Sequence, residues 1–420
     1  MRGSTTKSTN MLFRFSLYGF LKNQRYFEPF LILIFREKGM SFAMIGVLIA
    51  FREVCVNVFE IPTGAIADVL GRRKSMVVSF SGYILSFAVF ATSLSLGALF
   101  VAMLLFAVGE AFRTGTHKAM IFDWLEREGR GAEKTAVYGY TRSWSKKGSA
   151  LCVVISAIIV WFSDTYTGVF WMCLLPYVAN VINLWTYPAY LDGDVEKHFA
   201  LAPVVRKLRK AVKTAIQRPH LRRILLEAMG FEGCFKSSQI YLQPLLLASV
   251  VAVPMLVHVA ERKRTAVLVG AVYAVLHLLS AVASRNAKRI GGDKVAQERG
   301  ALGLWRCNLV VFGLMLLGAL LEMHPLMIAC LVFLAVLQNL WRPLLVSRCA
   351  DETSPDIMAT VLSIESQGKA IFVVVFAPLL GFAVDWLGSR EIDCRFAPVA
   401  VLGCIVSAIA LAATRRTKAI

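Results

Sequence analysis

Twelve runs of apolar residues, each near the length that crosses a bilayer, restrict this chain more than any other feature. They fall at roughly 15–36, 41–62, 75–95, 97–120, 140–163, 168–187, 230–252, 265–284, 301–321, 326–347, 357–385 and 396–413. A spanning helix needs about 20 apolar residues. Inside hydrocarbon, backbone polar groups must find partners within the span itself, which a helix provides. A soluble domain of ordinary composition would carry about a quarter charged residues. This chain has 17% charged and 57% apolar residues. The expected fold class is therefore an all-α integral membrane protein with twelve transmembrane helices.

The runs form two sixes, parted by a polar stretch from Tyr190 to Arg223 that contains Lys197, Arg206, Lys207, Arg209, Lys210, Lys213, Arg218, Arg222 and Arg223. The expected organisation is a six-helix bundle at 1–189, a basic linker at 190–223, and a second bundle at 224–420. Within the linker, 204–216 has the character of an amphipathic helix on the inner leaflet. Positive charge favours cytoplasmic loops. With both termini cytoplasmic, the inside segments collect most of the loop cations, including Arg72, Arg73, Lys74, Lys288, Arg289 and Lys294. The expected location is the plasma membrane, the inner membrane for a bacterium. That orientation also accounts for most of the net charge of +19 without nucleic acid.

Residues Met1–Asn10 are polar and the first apolar run is long enough to span, so no cleaved signal is expected. The nine cysteines show no Cys-x-x-Cys spacing and read as packing residues, with no metal and no cofactor. No phosphate loop, His-x-x-x-His or Gly-x-Ser-x-Gly pattern is present, which disfavours an enzyme or an ATP-driven pump.

Between the second and third runs the chain reads Glu60-Ile61-Pro62-Thr63-Gly64-Ala65-Ile66-Ala67-Asp68-Val69-Leu70-Gly71-Arg72-Arg73-Lys74. The pattern Gly64-x-x-x-Asp68-x-x-Gly71-Arg72-Arg73 resembles the loop between helices two and three of major facilitator superfamily transporters. Val69 departs from it, where the family often has a basic residue. Internal repeats agree. Gln24-Arg25-Tyr26-Phe27-Glu28-Pro29 is answered by Gln239-Ile240-Tyr241-Leu242-Gln243-Pro244, and the stretch around Glu110 by the stretch around Gln338. Asn57 and Gly71 meet His277 and Gly291 at one shared offset, although Asp68 is matched by Lys288. The resemblance implies two homologous six-helix halves and alternating access about a central site. It also implies an inner gate built on Gly64, Asp68, Gly71, Arg72 and Arg73. Asp123 and Arg127 are assigned to the same inner network; a solvated helix-end acid is the other reading of Asp123.

Charged residues inside the runs are costly, about 2.5–3.5 kcal/mol each at a helix centre, and so face partners or water. The candidates for the substrate and proton pathway are Arg25, Tyr26, Glu28, Arg52, Glu53, Glu110, Arg113, Arg142, Lys236, Gln239, Gln243, Gln338 and Arg342. Two readings stay open for these ions. In one, Arg25–Glu28, Glu110–Arg113, Glu232–Lys236 and Glu365–Lys369 are structural pairs one helical turn apart. In the other, some of them bind substrate and a coupling proton. Cations outnumber acids within the runs, which points to a polar, anionic small molecule as substrate. The expected partners are that molecule, protons and the lipid bilayer, with the chain monomeric. The alternatives are multidrug efflux, although span five lacks the proline that such exporters often carry there, and a transport-like membrane sensor of the same fold.

Pro29 and Pro244 each remove a backbone hydrogen bond inside a span, at a hinge or a static bend. Gly109, Gly115 and Gly148 are expected to allow close helix packing.

Overall fold

The computed structural model describes residues 2–192, 209, 213, 217–252, 258–287, 293–353 and 355–417. Of the amphipathic helix expected at 204–216 only residues 209 and 213 are among them; the repeat positions Lys288 and Gly291 lie outside, as do the surroundings of Gly64 and the side chain of Asp68. Every regular element described is helical: α1 Arg2–Leu21, α2 Leu31–Glu37, α3 Phe42–Leu70, α4 Arg72–Thr92, α5 Leu96–Arg113, α6 Thr116–Arg127, α7 Lys134–Phe162 and α8 Gly168–Trp185; then α9 Pro219–Gln239, α10 Leu242–Ala252, α11 Glu261–Asn286, α12 Lys294–Leu320, α13 His324–Glu352, α14 Pro355–Ser389 and α15 Ala397–Thr417. Among the described residues, nine helices are long and apolar enough to cross a membrane, with α15 supplying a shorter apolar helix. The two remaining apolar runs, the first and the seventh, are both broken. Residues Lys22–Phe27 and a short 3-10 turn at Glu28–Phe30 separate α1 from α2, and Ile240 and Tyr241 separate α9 from α10.

Two compact units result, one made of Met1–Ile34 and Cys55–Leu201, the other of Phe35–Val54 and Ala202–Ile420. In the first unit α4 packs on α5 and α8, and α1 on α7. Aromatic rings fill the space between: Phe80, Tyr83, Phe87 and Tyr177 are fully buried. Small residues set the closest crossings. A Cβ on Gly148 would stand 2.6 Å from the Phe20 carbonyl, and one on Gly109 2.9 Å from that of Ser79. Gly115 differs from the packing role expected of it. It has open space around it and a φ of +79°, so it serves the backbone turn that separates α5 from α6.

A tight loop is expected around residues 60–74, yet the helix α3 carries Pro62 within it and runs on to Leu70. Gly71 alone, at φ +88°, joins it to α4. An L side chain rarely adopts that conformation, so this one-residue junction depends on glycine.

In the second unit α9 packs on α13, α14 and α15, and α12 on α13 and α15. The N-terminal half of α3, to Val54, belongs to this unit and crosses α14 backbone to backbone at Gly46 and Gly381. The Asp385 carboxylate accepts from the backbone N–H groups of Phe42 and Ala43 at 3.0 and 2.7 Å, and Ser41 Oγ from that of Met44 at 3.2 Å. A helix start leaves its first N–H groups without helical partners, and here α14 satisfies two of them. Asp385→Ala is expected to cost about 1–2 kcal/mol, the range for a lost cap, read as a lower thermal midpoint of the purified protein. A midpoint equal to that of the parent would show that the cap contributes nothing.

Outward stripes are apolar. On α8, Trp171, Leu175, Val178, Ile182 and Trp185 recur at helical spacing and are exposed. A contiguous apolar face of this kind suits lipid contact.

Candidate functional site: ion networks around two broken helices

Where α1 ends, the backbone loses its helical partners and side chains replace them. Tyr177 donates its hydroxyl to the Lys22 carbonyl at 3.0 Å, and Gln24 Nε2 donates to the Gly148 carbonyl at 3.1 Å. The break aims Arg25 at three helices. Its guanidinium donates to Tyr177 Oη at 3.0 Å, Tyr83 Oη at 3.2 Å, Glu110 Oε2 at 2.9 Å and Glu28 Oε1 at 3.1 Å. Tyr83 in turn donates to Glu110 at 2.5 Å, and Arg113 pairs closely with the other Glu110 oxygen. Glu110 thus serves two guanidiniums and a phenol. Arg25 and Glu110 are partly buried, whereas the Glu28 side chain is 57% exposed. Tyr26, beside them in sequence, is buried. The one-turn pairs Arg25–Glu28 and Glu110–Arg113 both form, joined through Arg25 into one network.

The second broken helix carries a parallel arrangement with different partners. Glu232 on α9 binds Arg342 of α13 and Lys369 of α14, each at 3.1 Å. Glu365 binds Arg342 at 2.6 Å and lies 3.9 Å from Lys369. The one-turn pair expected between Glu232 and Lys236 is replaced: Lys236 reaches Glu53 at 2.8 Å, and Glu53 also accepts from Arg52 at 2.8 Å. Longer side chains crossing to another helix find better geometry than neighbours on their own. Of the glutamines, Gln239 donates to the Leu331 carbonyl at 2.8 Å and Gln243 to Tyr273 Oη at 3.1 Å. Gln338 keeps a buried Oε1 without a hydrogen-bond partner.

Two further networks sit at the helix ends assigned to the inside. In the first unit Arg72 pairs with Asp123, and Arg73 with Asp192 at 3.5 Å. Asp192 Oδ1 also accepts from the Arg73 backbone N–H at 2.9 Å, placing a carboxylate on the N-terminus of α4. Arg127 lies over the Tyr190 ring at 5.7 Å. Asp192 was not legible as a member of this set. It lies far along the chain, at the edge of a basic stretch, and only the return of the chain after α8 brings it here. In the following loop Arg130 donates to Glu133 at 2.7 Å, holding that exposed carboxyl below its usual range. In the second unit Arg348, 3% exposed, binds Glu227 at 2.7 Å and Glu298 at 2.7 Å, and Arg223 binds the same two acids.

Arg142 takes no part in these networks. It lines a pocket of about 360 Å³ between α1, α6 and α7, together with Lys22 and Lys146. Among the described residues no group of His, Cys, Asp and Glu has the spacing to hold a metal ion.

Residues 16–366 match the family model described as Major Facilitator Superfamily. A Bacillus subtilis (strain 168) protein, the uncharacterised MFS-type transporter YxaM, is 21% identical over 220 residues. That match covers 52% of this chain and about half of the relative, 54%. Among solved structures, the nucleoside transporter NupG superposes with a TM-score of 0.75 at 12% identity, covering 96% of this chain and 98% of that one. A bacterial homologue of the human lysosomal transporter Spinster, in an inward-facing conformation, gives 0.69 at 13% identity, with 97% of both chains covered. A peptide transporter of the POT family in complex with alafosfalin gives 0.71 at 13%, covering 96% of this chain and 94% of that one. At these identities the likeness is one of fold.

Proposed function

As the chain belongs to the major facilitator superfamily, a superfamily of membrane transporters, we propose that it is a secondary active carrier for a polar, anionic small molecule, coupled to protons and working by alternating access. The reading takes both termini as cytoplasmic, the membrane as the plasma membrane, the chain as a monomer, and the spans as twelve in two bundles divided near 189 and 224. The observation that carries it is the pair of helix breaks, at residues 22–27 and 240–241: Arg25 in the first break, and Glu232 on the helix that ends at the second, each anchor a partly buried ion network. In lipid, irregular backbone and clustered charge are tolerated where they line a watery cavity or are buried in protein. Both breaks in corresponding positions of a repeat are the usual pointer to a binding site.

Coupling is assigned to Glu28 and Glu110. Arg25 touches both carboxylates, so a proton taken up by Glu28 weakens its hold on Arg25 and leaves that cation to Glu110 alone. Gating is assigned to the inner set of Gly64, Asp68, Gly71, Arg72, Arg73, Asp123 and Arg127. Breaking Arg72–Asp123 would free the α4 end from α6.

The test is uptake by the purified chain in proteoliposomes, screened against labelled organic acids and organic phosphates under an imposed pH gradient. One anion is expected to accumulate, and an uncoupler should abolish its accumulation. Equal uptake with and without the gradient for every anion tried would remove the proton-coupled reading. Orientation is tested separately. Single-cysteine labelling should find Gly131, Lys207 and Lys294 on the cytoplasmic side, and Gly39 and Lys263 on the outside. Labelling of Lys207 from outside would break the six-plus-six arrangement.

A further inference from the structure

The pocket between α1, α6 and α7 contains three cations and, among the described residues that line it, no carboxylate. Lys22 comes from the end of α1, and Arg142 and Lys146 lie one turn apart on α7. They are brought together by a close helix crossing. A Cβ on Gly19 would stand 2.6 Å from Ser145 Oγ and 3.2 Å from the Thr141 carbonyl, so the two helices touch where these cations are attached. In the two ion networks, by contrast, the cations are paired with acids: Arg25 and Arg113 with Glu110, and Arg342 and Lys369 with Glu232. The Lys22 ammonium lies over the Tyr18 ring at 5.7 Å, and among the described residues Lys22, Arg142 and Lys146 have no ion pair.

A second observation is independent of those charges. His117 also lines the pocket. It is 9% exposed, stacked on the Tyr18 ring at 3.6 Å, and its Nε2 has no hydrogen-bond partner. A buried ring nitrogen left unpaired costs free energy unless a ligand or water meets it. Aromatic rings line the pocket as well, with Phe15 edge-on to His117 at 5.5 Å and Tyr138 from α7.

We propose that this pocket is the anion subsite of the carrier, and that it takes a compact dianion, a phosphate monoester, joined to a small apolar or aromatic body. Three converging cations suit a doubly charged head better than a single carboxylate. The planar fork of Arg142 matches phosphate oxygens in a bidentate manner, and a phosphate monoester carries close to two charges at neutral pH. A cavity of about 360 Å³ exceeds what the phosphoryl group alone would fill, and the aromatic wall suits the remainder. The proposal rests on the transport reading only for its biological role; binding itself is measured without transport.

Isothermal titration of the purified full-length chain in detergent at pH 7.5 is the experiment, with phenyl phosphate, phenylmalonate, benzoate and benzyl alcohol as probes. Phenyl phosphate is expected to bind at least tenfold more tightly than benzoate, and benzyl alcohol not at all. Phenylmalonate binding as tightly as phenyl phosphate would overturn the phosphoryl assignment. Lys22→Gln and Arg142→Gln should each weaken phenyl phosphate at least tenfold. Lys147→Gln, next in sequence but outside the pocket, should bind as the parent does. Elution volume and thermal midpoint are recorded for each variant, so a misfolded one is recognised; Lys146→Gln then takes its place and should likewise weaken phenyl phosphate at least tenfold. Equal affinity for the phosphate and the carboxylate probes, or unchanged affinity in both Gln variants, overturns the proposal. Dianion binding without uptake in proteoliposomes would leave the subsite standing and remove the carrier reading. Uptake of some other substrate with no dianion binding would do the reverse.

Discussion

Glu110→Gln is expected to destabilise the protein by about 3 kcal/mol, toward the lower end for removing one partner of a buried ion pair. The amide leaves two guanidiniums, Arg25 and Arg113, whose side chains are 18% and 19% exposed, with Glu28 still paired to Arg25. It also disturbs the acceptor of the Tyr83 hydroxyl. For a unit of this size the thermal midpoint should fall by roughly 6–12 °C. Glu28→Gln is the contrast. Its side chain is 57% exposed, and exposed pairs are worth about 0–1 kcal/mol, so its midpoint should stay within about 2 °C of the parent. In transport the order reverses: Glu28→Gln should lose proton-driven accumulation while keeping substrate exchange. Accumulation at the parent level in that variant would show that Glu28 does not couple. Equal midpoints for the two variants would show that Glu110 is not the keystone of its network. The repeat comparison by itself predicts a benign Glu110→Gln, because Gln338 stands at the related position. That expectation fails on geometry. Around Gln338 the nearby arginine, Arg342, is already held by Glu232 and Glu365.

Arg348→Met is expected to cost about 3–5 kcal/mol, a fall of about 10 °C in midpoint. Arg348 is 3% exposed and binds two acids from two other helices, Glu227 of α9 and Glu298 of α12. Methionine fills much of the same volume, so the loss is electrostatic. Glu227, 7% exposed, would keep only the Arg223 contact at 3.3 Å. Adding Glu227→Gln to Arg348→Met should recover part of the loss, because residues in one network do not add independently. A single variant within 2 °C of the parent, or a double variant worse than the sum of the two singles, would show that this cluster does not tie α9, α12 and α13 together.

Membrane residence and helical class follow from the sequence alone, because a bilayer leaves a backbone few ways to satisfy itself and the apolar runs record that choice. The superfamily could be read from the resemblance of one motif, Gly64-x-x-x-Asp68-x-x-Gly71-Arg72-Arg73, with the internal repeats in support. The charged positions were legible for the same reason: ions inside an apolar run stand out. Their partners were not. Arg25, Glu28, Glu110 and Arg113 could be paired correctly along one helix turn, but Lys236 turned to Glu53 and Glu232 to Arg342 and Lys369. Helix periodicity specifies which residues share a face of one helix; it does not say which helix that face meets. Nor could a run of hydropathy reveal that the first and seventh spans break, since proline alone is compatible with a continuous kinked helix, as Pro62 in α3 shows. The same limit hid the basic pocket. Lys22, His117, Arg142 and Lys146 lie on three helices, and only the crossing of α1 over α7 at Gly19 turns scattered cations into one site.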